Sequence, residues 1–346
     1  MPLPTEDQDL LREVAREVLT EQAGPQRLRA LLDTPTLHDP DLWKQISELG
    51  WPALALPEGE GGLGSGLPDL AVVVEECGRA LMPSALTGSI ALTWLFARHD
   101  TIPAPELIGA WSLGAADITA SGPDLLLTGV RRHVPDAAVA THLLVDVTGP
   151  DGPALALVSA SAPGLRATAE STIDLTRRYQ ELRFERVPAE EVLPAEPAAT
   201  ELFRCGVVLQ CAESIGVAGR ALDLTCEHVR RRTQFGRAIG SFQAVKHRIA
   251  DMHIALEGAR VATRDAAEAV QNGRSDAGYA VHVAKSWTGR AASAITSDAI
   301  QLHGGIGFTW EHDLHLLQRR AKANELLLGT PAWHDERLTR AIEAEG

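Results

Sequence analysis

The stretch Arg231 to Met252, RRTQFGRAIGSFQAVKHRIADM, decides how the rest of the chain is read. Just before it, Leu222, Cys226 and Val229 form an apolar row at i, i+4 and i+7. That spacing predicts a helix running into Arg230, Arg231 and Arg232, with its cations at the C-terminal end, where the helix dipole favours them. Gly236 then breaks the helix, and after Gly240 and Ser241 the residues Ile249, Met252 and Leu256 recur on one face of a second helix, with Ser241 as the expected N-cap. Arg232 and Gln243 thus stand on either side of a tight helix-to-helix corner. Such a corner suits an anion, because arginine offers a planar fork of donors to a phosphate; a solvated basic turn between two bundle helices fits the same spacing.

A second run, Gln301 to Phe308 (QLHGGIGF), lies some fifty residues on. Ala291, Ile295 and Ala299 recur every four residues up to Ile300, and Gln301 and His303 then lead into Gly304, Gly305 and Gly307. Glycines after a helix let the backbone take positive φ and let a bulky ligand approach closely, although taken alone they are equally a helix cap.

Together the two runs resemble the flavin-binding signatures of the acyl-CoA dehydrogenase family, and the resemblance extends in order over nearly the whole sequence. It implies that Arg232, Gln234, Phe235 and Gln243 of the first run, with Gln301 and Gly305 of the second, hold the pyrophosphate and adenosine of an FAD whose flavin ring lies in the neighbouring subunit. It also implies an α+β fold class: an N-terminal helical domain over residues 1–105, a small, shortened central β domain over 106–196 and a C-terminal four-helix bundle over 197–346.

Local patterns agree with that division. Thr5 and Gln8 make a capping box ahead of the apolar stripe Leu10, Leu11, Val14 and Val18. Leu42 to Gly64 and the helix-like run from Ala71 resemble the family's N-terminal domain. The glycines at 59, 61, 62 and 64 read as a tight inter-helix loop, since no Lys-Ser/Thr follows as a phosphate loop requires. Residues 125–130, 142–148 and 154–160 are strand-like, and Tyr179 to Leu193 alternates apolar and polar residues like the family's last β strand.

The departures from the family concern chemistry. The family's Thr-Glu-Pro loop is absent from residues 109–124, and where an aromatic-apolar-Thr run is expected the chain has His133, Val134, Pro135 and Asp136. Pro135 removes a backbone donor from the place where the family hydrogen-bonds its flavin. The ring pocket is therefore expected to be missing or collapsed in this chain. Dehydrogenation of a CoA thioester also needs a carboxylate that removes the α proton. One of the family's two homes for that base aligns with Leu328, before Gly329 and Thr330; the other aligns with Gly206, next to Val207 where the family has an arginine for CoA. Glu213 and Glu325 lie near these positions and read as ordinary solvated or interface charges, so no catalytic residue is assigned to this chain.

With 346 residues and a net charge of −14, the chain exceeds one hydrophobic core and lacks the basic face that a nucleic-acid partner demands. No unbroken apolar run reaches membrane-spanning length and no basic-then-apolar leader opens the sequence, so a cytoplasmic location is expected, with no membrane partner. Cys77, Cys205, Cys211 and Cys226 show no metal-ligand spacing. The pattern of retained and lost residues resembles the non-catalytic subunit of actinobacterial α2β2 acyl-CoA dehydrogenases that oxidise CoA thioesters of steroid side chains. In that reading FAD is shared at the subunit interface and a catalytic partner binds most of the acyl-CoA. The alternative is a self-sufficient homo-oligomeric flavoenzyme whose chemistry needs no glutamate.

Overall fold

The computed structural model describes residues 5–83, 85–99, 107–114, 117–122 and 125–345. The capping box forms as expected: the Gln8 amide donates to Thr5 Oγ1 at 3.2 Å and the Thr5 amide donates to Gln8 Oε1 at 3.3 Å. It starts α1 (Glu6–Gln22), followed by α2 (Pro25–Leu31), α3 (Pro40–Glu48), α4 (Leu67–Ala80) and α5 (Leu86–Arg98).

The strands are β1 (Gly109–Ser112), β2 (Ile118–Ser121), β3 (Leu126–Pro135), β4 (His142–Gly149), β5 (Gly152–Ser159), β6 (Leu165–Glu170), β7 (Tyr179–Pro188) and β8 (Glu191–Pro194). They form one sheet in the order β6-β7-β3-β2-β4-β5-β8, with β1 parallel to β4. The stretch 109–124, expected as a loop, thus contains β1 and β2. Both are four residues long and pair with β4, some thirty residues away, so neither carries enough local pattern to be seen. Along β3 and β7 the register shifts between Arg131 and Val134. That bulge puts His133 at φ 57, and Asp136 at φ 58 follows it, left-handed backbone that turns this end of β3 toward the helices.

Helix α6 (Ala195–Arg231) is the axis of the C-terminal half, packing against α4 and against α7 (Gln243–Gln271), α8 (Ala277–His303) and α9 (Leu314–Leu326). By length and composition alone it could cross a membrane, but 89% of its apolar window is buried within the protein, which makes it a core helix here. It crosses α4 backbone to backbone: a Cβ on Gly216 would lie 1.8 Å from the Glu75 carbonyl oxygen. The fourth helix expected for the bundle is interrupted at Leu328 (φ 55) and Gly329 (φ 96). The segment therefore supplies α9 and a separate α10 (Pro331–Glu345), five helices among the described residues rather than four.

Candidate functional site

Between α6 and α7 the chain makes a two-residue hairpin, β9 (Thr233–Gln234) against β10 (Arg237–Ala238). Its turn residues Phe235 (φ 54) and Gly236 (φ 76) are both left-handed, the geometry of a type I′ turn. Glycine adopts this freely, whereas phenylalanine does so at a cost. Ser241 does not cap α7. Its hydroxyl donates to the Ala238 carbonyl at 2.7 Å within the short turn Ile239–Ser241, and Phe242 takes the N-cap position, which makes Gln243 the first helical residue.

The two sequence runs are joined by imidazoles. His228, in the last turn of α6, stacks on His303, in the last turn of α8, with ring centroids 4.2 Å apart, and His312 meets His303 edge-on at 4.8 Å. Burial lowers the pKa of all three, so neutral rings pack where imidazolium ions would repel. The stack brings Arg232 and Gln301 to one end of the bundle. All six predicted flavin-binding residues are exposed there: Arg232, Gln234, Phe235, Gln243, Gln301 and Gly305. Among the described residues none pairs with the side chains of Arg232, Gln234, Gln243 or Gln301. Phe235 is 91% exposed, with Phe308 at 72% and Ile306 at 52% beside the second run. A free arginine, three free amides and an exposed aromatic on strained backbone fit an anionic ligand tail covered by a further surface.

A second region lies between the sheet and the C-terminal helices. Instead of a collapsed pocket there is a cavity of about 430 Å³, walled by Trp111, Phe203, Leu327, Leu328 and Trp333 and closed at a polar end by Asp136, Arg177, Gln210 and Glu213. The cavity stays open because β1 forms and carries Trp111 to its wall while the α9–α10 break holds Leu328 opposite. The two positions that the resemblance marks as homes of the catalytic base meet here. A Cβ on Gly206 would come within 2.4 Å of the Trp111 ring and 3.3 Å of Leu328 Cδ1. Neither position carries a carboxylate, and the neighbouring Val207 is fully buried in the core.

The break at Leu328 is fixed from behind by a histidine relay. His334 Nε2 donates to the Leu328 carbonyl at 3.0 Å, which leaves its Nδ1 to accept from His282 Nδ1 at 2.8 Å. Burial pushes both rings down to about 4, so the relay is neutral over the physiological range.

Two carboxylates near the site are committed to structure. Glu213 accepts from Arg177 at 2.6 Å, from Arg320 at 2.8 Å and from Asn324 at 2.7 Å, and Arg320 also donates to Asp174 at 2.7 Å. Burial alone would raise Glu213, but the two guanidiniums hold it at about 2. Glu325 accepts from Lys322 at 2.6 Å and from the Ser293 hydroxyl, which keep it below its ordinary value against the effect of burial. Lys285 donates to Gln210 Oε1 at 2.6 Å, and burial lowers it to about 8. Asp136 differs from both glutamates. Among the described residues its carboxyl accepts no hydrogen bond, its ion-pair contact with Arg177 Nε is a long 3.8 Å, and burial pushes it up to about 6. The sequence placed Asp136 in a flavin-loop position without singling it out; its one local sign was the Pro135–Asp136 pair closing a strand.

The chain matches the sequence models of the acyl-CoA dehydrogenase N-terminal domain over residues 5–99 and the acyl-CoA dehydrogenase C-terminal domain over 197–343. It is 35% identical to acyl-CoA dehydrogenase IpdE2 of Mycolicibacterium smegmatis, over 99% of both chains. It is 34% identical to IpdE2 of Mycobacterium tuberculosis, over 99% of this chain and 98% of that one. Among solved structures, a variant of the Tcur3481–Tcur3483 steroid ACAD superposes with a TM-score of 0.90 at 33% identity, covering 98% of each chain. The ChsE4–ChsE5 complex from Mycobacterium tuberculosis superposes with a TM-score of 0.91 at 27% identity, covering 99% of each chain. With its two matched domains, its sheet between helical regions and relatives aligned end to end, the chain belongs to the acyl-CoA dehydrogenase family, a family of flavoprotein oxidoreductases.

Proposed function

We propose that this chain is the non-catalytic subunit of a heteromeric FAD-dependent acyl-CoA dehydrogenase and supplies the adenosine and pyrophosphate side of the FAD site to a catalytic partner. One contrast carries the reading: six ligand-type residues stand exposed at the end of the bundle, four of them with no side-chain partner among the described residues, while both positions for the base, Gly206 and Leu328, lack a carboxylate. Arg232 would meet the pyrophosphate, Gln243 and Gln301 would donate to it or to the ribose, and Phe235 would cover the adenosine. When bound, FAD supplies the two-electron oxidation that converts a saturated CoA thioester into its α,β-unsaturated product. This chain's residues bind, orient and exclude water, and the proton is taken by a partner residue. An α2β2 assembly acting on CoA thioesters of steroid side chains is the specific form we propose, supported by likeness to the Tcur3481–Tcur3483 steroid ACAD and to the ChsE4–ChsE5 complex.

The test is FAD titration into apo-complex. Loss of a charge-assisted arginine–phosphate contact costs on the order of 2 kcal/mol, so Arg232→Ala should weaken FAD roughly thirtyfold with the catalytic chain untouched. Gln243→Ala removes a neutral donor and should cost about 1 kcal/mol, roughly fivefold. Unchanged affinity in both variants sinks the clamp. The open cavity favours a second reading, a self-sufficient homo-oligomeric flavoenzyme whose chemistry needs no glutamate. That reading predicts stoichiometric flavin on this chain alone.

A further inference from the structure

The cavity between the sheet and the helices is not explained by a role confined to the adenosine side of FAD. About 430 Å³ is enough for a small organic ligand, at the lower end of the ~300–1,000 Å³ typical of such sites. Its walls are aromatic and aliphatic, and among the described residues its polar end holds one carboxylate with unused acceptor capacity. Glu213 is saturated by Arg177, Arg320 and Asn324, and Gln210 Oε1 accepts from Lys285. Asp136 remains. Its position is imposed by the fold: the β3 bulge and its left-handed φ hold it at the cavity edge, and its amide donates to the Arg178 carbonyl at 2.9 Å.

We propose that this cavity binds a neutral, mostly apolar alcohol whose hydroxyl donates to the Asp136 carboxylate. The neighbouring charges exclude the other ligand classes. An anion would face the carboxylates of Asp136 and Glu213, and an ammonium would face Arg177, already 3.8 Å from the same Asp136 oxygen. A hydroxyl needs only the vacant acceptor, and its apolar body fills the space between Trp111, Phe203 and Trp333. The inference rests on the reading that the flavin ring is held by the partner and not by this cavity.

The charged groups around Asp136 set its pH dependence. Burial raises it, Arg177 and Arg320 lower it, Glu213 and Asp174 raise it, and the net value is about 6. Arg132 and His133 also line the cavity, and each is paired, with Glu181 and Glu170 respectively. Above pH 6 the carboxylate accepts from a hydroxyl. Below it the carboxylic acid can instead donate to a ketone.

The probes are testosterone and androstenedione, which differ by one hydroxyl replaced with a ketone, measured by equilibrium dialysis against the full chain. Testosterone should bind at pH ~7.5, weaken as pH falls through the Asp136 range, and bind about tenfold more weakly to Asp136→Asn, with no remaining pH dependence. Androstenedione should show the opposite pH trend. Asparagine tolerates left-handed backbone, so the variant keeps the turn. Ser112→Trp, which fills the cavity from β1, should abolish binding of both. Testosterone binding that is absent, independent of pH through this range, or indifferent to Asp136→Asn overturns the inference. The flavin absorbance of the same preparation separates the two readings: flavin bound to the chain alone refutes the partner-ring reading, whereas a colourless chain that fails to bind testosterone refutes only the inference.

Discussion

The corner at the end of the bundle and the cavity beneath the sheet treat polar groups in opposite ways. At the corner, Arg232, Gln234, Gln243 and Gln301 are exposed and without side-chain partners among the described residues, and Phe235 is held on left-handed backbone with 91% of its surface in solvent. In the cavity wall Glu213 spends its carboxylate on two buried arginines, and the base positions are glycine and leucine. An unsatisfied, strained exterior points to something outside the chain, whereas the Glu213 network is satisfied by its own subunit. The difference teaches that the two halves of the proposed site are separable: ligand-type side chains stand exposed at the corner although the positions aligned with the catalytic carboxylate hold glycine and leucine.

The largest effect is expected from the interior. Among the described residues, Glu213→Ala leaves buried Arg177 with only its 3.8 Å carboxylate contact to Asp136 and buried Arg320 with Asp174 as its one remaining carboxylate, and should cost about 3–5 kcal/mol in urea unfolding. A cost below about 1 kcal/mol would mean that the network is hydrated and the comparison is wrong. The acid limb of stability follows from the same group. Because the folded pKa of about 2 lies below the ordinary 4.5, Glu213 contributes stability above pH 4.5 that is lost as pH falls toward 2. His282 and His334 act earlier: lowered from 6.5 to about 4, they take up protons more readily when unfolded, so stability declines as pH falls below 6.5. A pH series of urea midpoints reads both windows.

The corner predicts a mutation with opposite signs in two assays. Phe235→Gly removes a left-handed penalty of about 1 kcal/mol and so should stabilise the isolated chain slightly, but it should weaken FAD retention in the complex. Loss of stability in the isolated chain would show that the edge-on contact of Phe235 with Phe242, ring centroids 6.2 Å apart, outweighs the backbone penalty. The smallest expected effect is none. Leu328→Glu should not make the isolated chain a dehydrogenase, since one carboxylate cannot act without a flavin held in reacting geometry beside it. Acyl-CoA oxidation by this variant alone would show that the cavity holds a flavin ring after all.

Much of the corner was legible in the sequence because its elements are local: one helix ends at Arg231, Gly304 follows another, and Arg232 and Gln243 flank the turn between α6 and α7. The break lies earlier than Gly236, which forms the turn of the β9–β10 hairpin instead of ending the helix. The Ser241 cap was misjudged because its hydroxyl bonds back to Ala238 within a turn three residues long, a choice that spacing does not reveal. The interior was far less legible. Arg177 precedes β7, Glu213 lies on α6, and Arg320 and Asn324 lie one turn apart on α9; they become a network only through tertiary folding. The lack of a carboxylate at Gly206 and Leu328 could be read from the sequence, but the open cavity between them could not, because it depends on β1 pairing with the distant β4 to bring Trp111 into place.

The most direct test of the shared-site account is the visible spectrum of this chain purified alone and again after co-expression with a catalytic acyl-CoA dehydrogenase subunit. The account predicts a colourless chain alone, a yellow complex with about one FAD per pair of unlike subunits, and bleaching of that flavin by an acyl-CoA only in the complex. A stoichiometric yellow flavin on this chain alone, bleached by an acyl-CoA, would contradict it.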